Sequence, residues 1–277
     1  MLLFASEDMG FTEYAIMLGV LLGVLGYVLY LIYYTLDLYF LNPFIKIPAL
    51  TKKEEALIRF NLPFYNSLSS AMQRRFKRRV VRFRYRKTIV FHEEVEGRQE
   101  IVLLLSATAV MLTLGMRDYI IEAVQKIVIY PREYHSRFTR LNHYGAYNPA
   151  QKTLIFAANH LRKGFRIPND NINLAVHEFA HALSFNLQRK FGIRTLLFRY
   201  GMYKLRGFFE SDVFWSKMEH TSYFRAYGKT NIHEFFAVIM ENFVETPAAF
   251  QTTFPDLYKT LKSMLNIDYY QMPKTAP

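Results

Sequence analysis

His177, Glu178 and His181 stand as H-E-x-x-H within NINLAVHEFAHALSFNLQRKFG, residues 171–192. On a helix, positions i and i+4 lie one above the other on the same face. Two imidazoles placed this way can grip one zinc ion, and the glutamate beside the first can reach a water at that ion. The chemistry implied is metal-assisted hydrolysis with Glu178 as general base. Two histidines do not complete such a site. The chain has no cysteine, so zinc must be held by histidine and carboxylate alone.

The elements that would position these groups are legible nearby. Asn171 and Asn173 are both suited to cap a helix start, Leu174, Phe179, Leu183, Phe185 and Leu187 give it apolar faces, and Gly192 is a suitable stop. A second helix is expected over Asn231–Thr246, NIHEFFAVIMENFVET, ended by Pro247. It offers Glu234, Glu241 and Glu245. Offsets of seven and eleven residues return to nearly the same angle, so the three share one face. Any of them is a candidate third ligand, and Glu241 or Glu245 could instead fix a histidine tautomer from behind. Asn231-x-x-Glu234 also has the spacing of a capping box, in which Glu234 would turn back to its own helix start.

Lys126–Tyr130 (KIVIY) and Thr153–Ala157 (TLIFA) read as short strands. The second, just upstream of the metal helix, is the expected edge against which an extended peptide would pair. Ile101–Met116 is apolar over sixteen residues, too short to cross a bilayer readily, and is expected as a buried core helix. The fold class expected is α+β, mainly helical, with a small sheet.

The chain is 51% hydrophobic and 17% aromatic, rich for a soluble domain. Tyr14–Leu36 carries no charge, which is long enough for a transmembrane helix, with Tyr14 and then Tyr30 and Tyr33 placed as interfacial aromatics. The preceding residues hold Glu7, Asp8 and Glu13 but nothing basic, unlike a cleaved signal peptide. Lys46, Lys52, Lys53 and Arg59 follow the span. The positive-inside rule then puts the N-terminus outside the plasma (inner) membrane and the rest of the chain in the cytoplasm. The expected organisation is a segment 1–41 with the span at about 14–36, a linker and short helix over 42–65, and a catalytic domain over 66–277. Net charge is +12, and nine of the fourteen residues Arg74–Lys87 are Lys or Arg. With a membrane close by in sequence, this run is expected as a solvated face near anionic lipid. Nucleic acid is not an expected partner, because no reader motif accompanies the charge.

Over about Asn66–Leu265 the chain resembles the zinc peptidases of the Mlc titration factor A (MtfA) type. The resemblance is carried by an apolar helix, then KIVIYPREY, TLIFAANH, HEFAHAL, and Tyr227 seven residues before HEFFAVIMENFVETP. It implies a gluzincin-like metallopeptidase fold, one Zn2+ held by His177, His181 and Glu234, Glu178 as general base, and Tyr227 as a donor to the oxyanion. A peptide or protein substrate follows, and the soluble prototype's link to the repressor Mlc adds a cytoplasmic regulatory protein as a possible partner. Two positions depart from the pattern: Ser184 stands where many members carry Asp, and the prototype has no membrane span. A non-enzymatic zinc-containing interaction protein is the alternative, although a scaffold has no need of Glu178. An intramembrane protease is excluded, since Asp170, Asn171, Asn173, Asn186, Gln188, Arg189 and Lys190 surround the motif with polar side chains.

Overall fold

The computed structural model describes residues 10–35, 38–42, 47–92, 94–135, 142–189, 192–221 and 223–270. The chain divides into two units, residues 1–47 and 48–277. In the first, helix α1 (Phe11–Thr35) fills the uncharged run and is followed by a 3-10 turn, Leu38–Leu41. Phe11–Tyr33 is long and apolar enough to cross a membrane. Glu7, Asp8 and Lys46, which bear on its orientation, lie outside the described residues.

The second unit begins with α2 (Lys52–Asn61), α3 (Pro63–Asn66) and α4 (Ser70–Tyr85). Thr51 and Glu54 form a reciprocal capping box: Thr51 Oγ1 accepts from the Glu54 amide and Glu54 Oε2 accepts from the Thr51 amide. Ile58, Leu62 and Tyr65 are buried in the main core. Residues 48–65 are therefore part of the folded unit, which starts at Pro48 rather than at residue 66, because these apolar side chains have nowhere else to be buried.

Next come β1 (Thr88–Phe91) and α5 (Arg98–Thr113). As expected, α5 is a core helix, with every residue from Leu103 to Thr113 buried. Its hydroxyls add no polar demand to the core. Ser106 and Thr113 Oγ donate to the carbonyls of Val102 and Ala109 at 2.7 Å, and Thr108 to that of Leu104 at 2.9 Å.

The basic run proves to be more than a solvated face. Arg79 is 1% exposed, and its Nη1 donates to the carbonyls of Thr113 (3.3 Å), Leu114 (3.1 Å) and Met116 (2.9 Å). They lie at and just beyond the end of α5, at the negative end of its dipole, and the Thr113 carbonyl also accepts from the Met116 amide at 2.9 Å. Lys87 is also buried and donates to the carbonyls of Ile121 and Val124. Lys77 and Arg84 pair with Glu55 and Glu54 on α2. Part of the run's charge is thus spent inside the fold on groups that a pattern of basic letters does not reveal.

The remaining strands are β2 (Lys126–Tyr130), β3 (Tyr134–His135), β4 (Asn142–His143), β5 (Gly145–Asn148) and β6 (Thr153–Ala157). One sheet has the order β1-β2-β6-β5, parallel up to β6 and antiparallel for β5, while β3 and β4 form a separate pair. TLIFA therefore lies inside the sheet with a neighbour on each side. The edge is β5. Its sequence, GAYN, runs into Pro149 and has the composition of a turn, so its pairing is set by the neighbouring strand rather than by its own propensity.

The chain ends in helices α6 (Ala158–Arg166), α7 (Leu174–Gln188), α8 (Ile193–Phe209) and α9 (Asp212–Thr221), a 3-10 turn (Ala226–Lys229), then α10 (Ile232–Glu245), α11 (Pro247–Thr253) and α12 (Pro255–Leu265). The result is mainly helical with a small mixed sheet. Helix α7 packs between α10 on one side and α5, β5 and β6 on others, and Phe179 meets the rings of Phe83 and Phe156 edge-on or tilted.

Replacing Arg79 by Leu should take a buried donor from the Leu114 and Met116 carbonyls, while that of Thr113 keeps the Met116 amide. A loss of about 3 kcal/mol or more in urea unfolding of the detergent-solubilised chain is the expected outcome.

Candidate metal centre

Helix α7 starts at Asn173, whose Oδ1 accepts from the Val176 amide at 3.2 Å. Asn171, the other cap candidate, has a positive φ of 57° and receives the Thr246 hydroxyl at 2.8 Å. One turn beyond the cap, His177 and His181 project from the same face, with Glu178 between them and 6% exposed. On α10, Asn231 caps the start by accepting from the amides of His233 and Glu234. The Glu234 carboxylate is turned to the histidines: its Oε2 is 3.1 Å from His177 Nε2 and 3.4 Å from His181 Nε2.

The two histidine Nε2 atoms are themselves 3.2 Å apart. Three donor atoms thus form a triangle with sides of 3.1, 3.2 and 3.4 Å. A tetrahedral zinc with bonds of about 2.0–2.1 Å separates its ligand atoms by about 3.3 Å. The donor set, two imidazole nitrogens and one carboxylate oxygen, is the chemistry zinc accepts. His177, His181 and Glu234 are the one His/Asp/Glu group among the described residues with this convergence. The residues present fit the ion.

Electrostatics point the same way. Burial works to lower the His177 pKa, but the Glu234 and Glu241 carboxylates outweigh it and raise it to about 10. Burial likewise works to raise Glu234, yet hydrogen bonds to His177 and His181 hold it well below the ordinary carboxylate range. The pair competes for positive charge, which a proton or a metal cation can supply. Burial pushes Glu178 up, helped by Glu234 and Glu241 and opposed by the two histidines. A base raised in this way is better matched to proton transfer near neutrality.

Glu241 is 1% exposed. Its Oε2 faces His177 Nδ1 at 3.3 Å and accepts from Arg225, while its Oε1 accepts from the Asn173 amide at 2.9 Å. It fixes the orientation of His177 from behind. Glu245, the third glutamate of the face, accepts from Asn173 Nδ2 at 3.0 Å and so steadies the cap of α7. Ser184 accepts from Gln188, on its own helix, at 2.9 Å. Tyr227 belongs to the 3-10 turn before α10, and its side chain lies outside the described residues.

Three more residues belong to this centre and are not legible in the motif. Gly145, on edge strand β5, lies against Glu178: a Cβ there would stand 2.7 Å from Glu178 Oε1 and 2.7 Å from Leu174 Cδ1. The available signal was a lone glycine in an aromatic stretch, which marks a close backbone approach. His143 lines both clefts that flank the centre, one of about 530 Å3 with Ala146, Tyr147 and Phe185, the other of about 460 Å3 with Ile172, Leu174 and Arg225. Arg225 comes from a segment without periodicity and gave no signal.

The chain belongs to the family described as glucose-regulated metallo-peptidase M90, which matches residues 44–266. This agrees with the MtfA resemblance drawn from the motifs, and it makes the protein a member of a metallopeptidase family. Among individual proteins, it is 26% identical over 223 residues to "Uncharacterized protein slr2042" of Synechocystis sp. (strain ATCC 27184 / PCC 6803 / Kazusa), covering 75% of this chain and 81% of that one.

Gly145→Ala should push the Glu178 carboxylate aside while leaving the three ligand atoms in place. The expected signature is a normal metal content with turnover reduced about tenfold or more, read by metal analysis beside peptide hydrolysis. A pH effect should come from Glu245. Burial raises its pKa from 4.5 to about 7, with Asp170 and Glu241 adding to the rise and Asn173 opposing it. The folded state therefore holds this proton more tightly than the unfolded chain. That contribution is complete below about pH 4.5 and is lost as pH rises through about 7. Glu245→Gln keeps the acceptor for Asn173, and should flatten the fall in stability across that window in denaturation curves.

Proposed function

We propose that this protein is a membrane-anchored, zinc-dependent peptidase whose active site faces the cytoplasm. The observation that carries the reading is the triangle of His177 Nε2, His181 Nε2 and Glu234 Oε2, with sides matched to a tetrahedral ion. When bound, zinc supplies a Lewis acid for the scissile carbonyl and acidifies a water.

The chain's own groups do the rest. Glu178 takes a proton from the attacking water and delivers it to the leaving amine. Its burial keeps that proton from exchanging freely with solvent. Glu241 and Arg225 hold His177 in one orientation, and Tyr227 is assigned as a donor to the carbonyl oxygen as charge grows on it. Edge strand β5 offers open backbone groups, so an extended peptide adds as a further strand beside Glu178. Its alternate side chains would enter the two clefts on either side of His143, which gives the site room for residues before and after the scissile bond. The edge used is Gly145–Asn148, because β6 already has both neighbours.

The anchor is assigned to α1. All 35 Lys and Arg residues follow residue 45, which supports an outside N-terminus and a cytoplasmic peptidase unit.

Glu178→Gln should bind one zinc per chain and lose peptide hydrolysis by at least about a thousandfold, whereas His177→Ala should lose the zinc as well. Undiminished cleavage by the glutamine variant would sink the mechanism. A parent protein purified without zinc, and unable to take it up, would sink the metal assignment.

A further inference from the structure

The outer side of α8 carries a surface that the peptidase reading does not use. Leu196, Tyr200 and Tyr203 are 61%, 58% and 74% exposed, and with Gly207 they follow one another at spacings of four, three and four residues, so they form one stripe. Arg199, Lys204 and Arg206 are exposed beside it, and α8 contains no Asp or Glu. The Lys204 ammonium lies 4.8 Å from the Tyr200 ring centre. A cleft of about 600 Å3 between α8 and α12 continues the stripe, with Lys259 on its far side. The opposite face of α8 is anchored through buried Phe198 and Leu205. The stripe is therefore not needed to hold the helix in the fold.

A helix face that combines aliphatic, tyrosine and basic side chains matches the boundary between acyl chains and anionic headgroups. Tyrosine suits that layer because its ring is apolar and its hydroxyl remains hydrated. The connectivity favours such a partner. Only residues 36–47 separate the end of α1 from the start of the peptidase unit. Fully extended they reach at most about 43 Å, and less with the Leu38–Leu41 turn in place, so an inserted α1 keeps the unit at a high effective concentration near lipid. The basic run 74–87 suits this role less well, since Lys77, Arg79, Arg84 and Lys87 are engaged within the unit.

We propose that the outer face of α8 docks on an anionic bilayer surface, with Leu196, Tyr200 and Tyr203 in the interface and Arg199, Lys204 and Arg206 on lipid phosphates. The proposal rests on the reading that α1 spans the same bilayer. It fixes one face of the peptidase unit on the membrane.

The absence of cysteine makes the test specific, because one introduced thiol is the only labelling site. At Gly207 an added Cβ meets nothing within 4 Å, so Gly207→Cys can carry an environment-sensitive fluorophore. The full chain would be placed in nanodiscs of phosphatidylcholine alone or with about 30% phosphatidylglycerol, each containing lipids spin-labelled near the headgroup. A separate Val24→Cys protein, labelled near the middle of α1, reports the anchor independently in nanodiscs whose lipids carry the spin label deep in the acyl chain. Expected is roughly twofold or greater quenching at position 207 with the anionic lipid, weaker quenching without it, and loss of the effect in Arg199→Glu/Lys204→Glu/Arg206→Glu. Quenching at position 24 but not at 207 overturns the docking and leaves the anchor standing. An unquenched probe at 24 removes the anchor and the proposal with it. Thiol cross-links between chains through position 207, without lipid quenching, assign the face to a second copy and also overturn the proposal.

Discussion

A buried carboxylate holds this structure in register. Glu241 sits at the contact of α7 and α10 and serves His177, Arg225 and the first amide of the metal helix together. A charge so far from water is tolerated only where every oxygen is met by donors. Neither helix can slide along the other by even one residue without stranding it. Glu234 is two turns before Glu241 on the same face, so the register that satisfies Glu241 also carries Glu234 to the histidines. The metal centre is thus the by-product of a packing constraint as much as of its own ligands.

The sheet adds the second constraint. Strand β5 passes so close to α7 that position 145 has no room for a side chain. The same closeness that excludes a Cβ puts edge strand β5 next to Glu178. Buried Phe156 and Phe179 hold that spacing from below, as part of the core that also contains α5. The geometry around Glu178 therefore depends on these apolar contacts as well as on the Glu241 register.

Much of this was legible in the letters. The i, i+4 histidines, the glutamate helix and the strands KIVIY and TLIFA have strong local signals, and the structure places each as an element of the expected kind. Glu234 could be read two ways, as ligand or as capping residue, because spacing does not report which way a side chain turns. Asn231 caps with its own side chain, which leaves Glu234 to face the histidines. Other features depend on tertiary contact and had no local signature. The edge role passed from TLIFA to the turn-like GAYN because strand order is set by non-local pairing. Arg79 looked like one more solvated cation, since only the folded chain reveals the carbonyls that it meets. The linker and short helix expected over 42–65 stood apart from the catalytic domain because Ile58, Leu62 and Tyr65 are apolar letters in a polar stretch until the core covers them.

Helix α5 has a consequence for how the chain must be made. A ribosome would deliver α1 and then, some sixty residues later, a second segment oily enough to tempt the insertion machinery. Sixteen helical residues extend only about 24 Å, short of a hydrocarbon layer of about 30 Å. The hydroxyls of α5, turned back on their own helix, give no protection from lipid. In the folded unit the cover is α4, the helix synthesised just before α5 and packed along it.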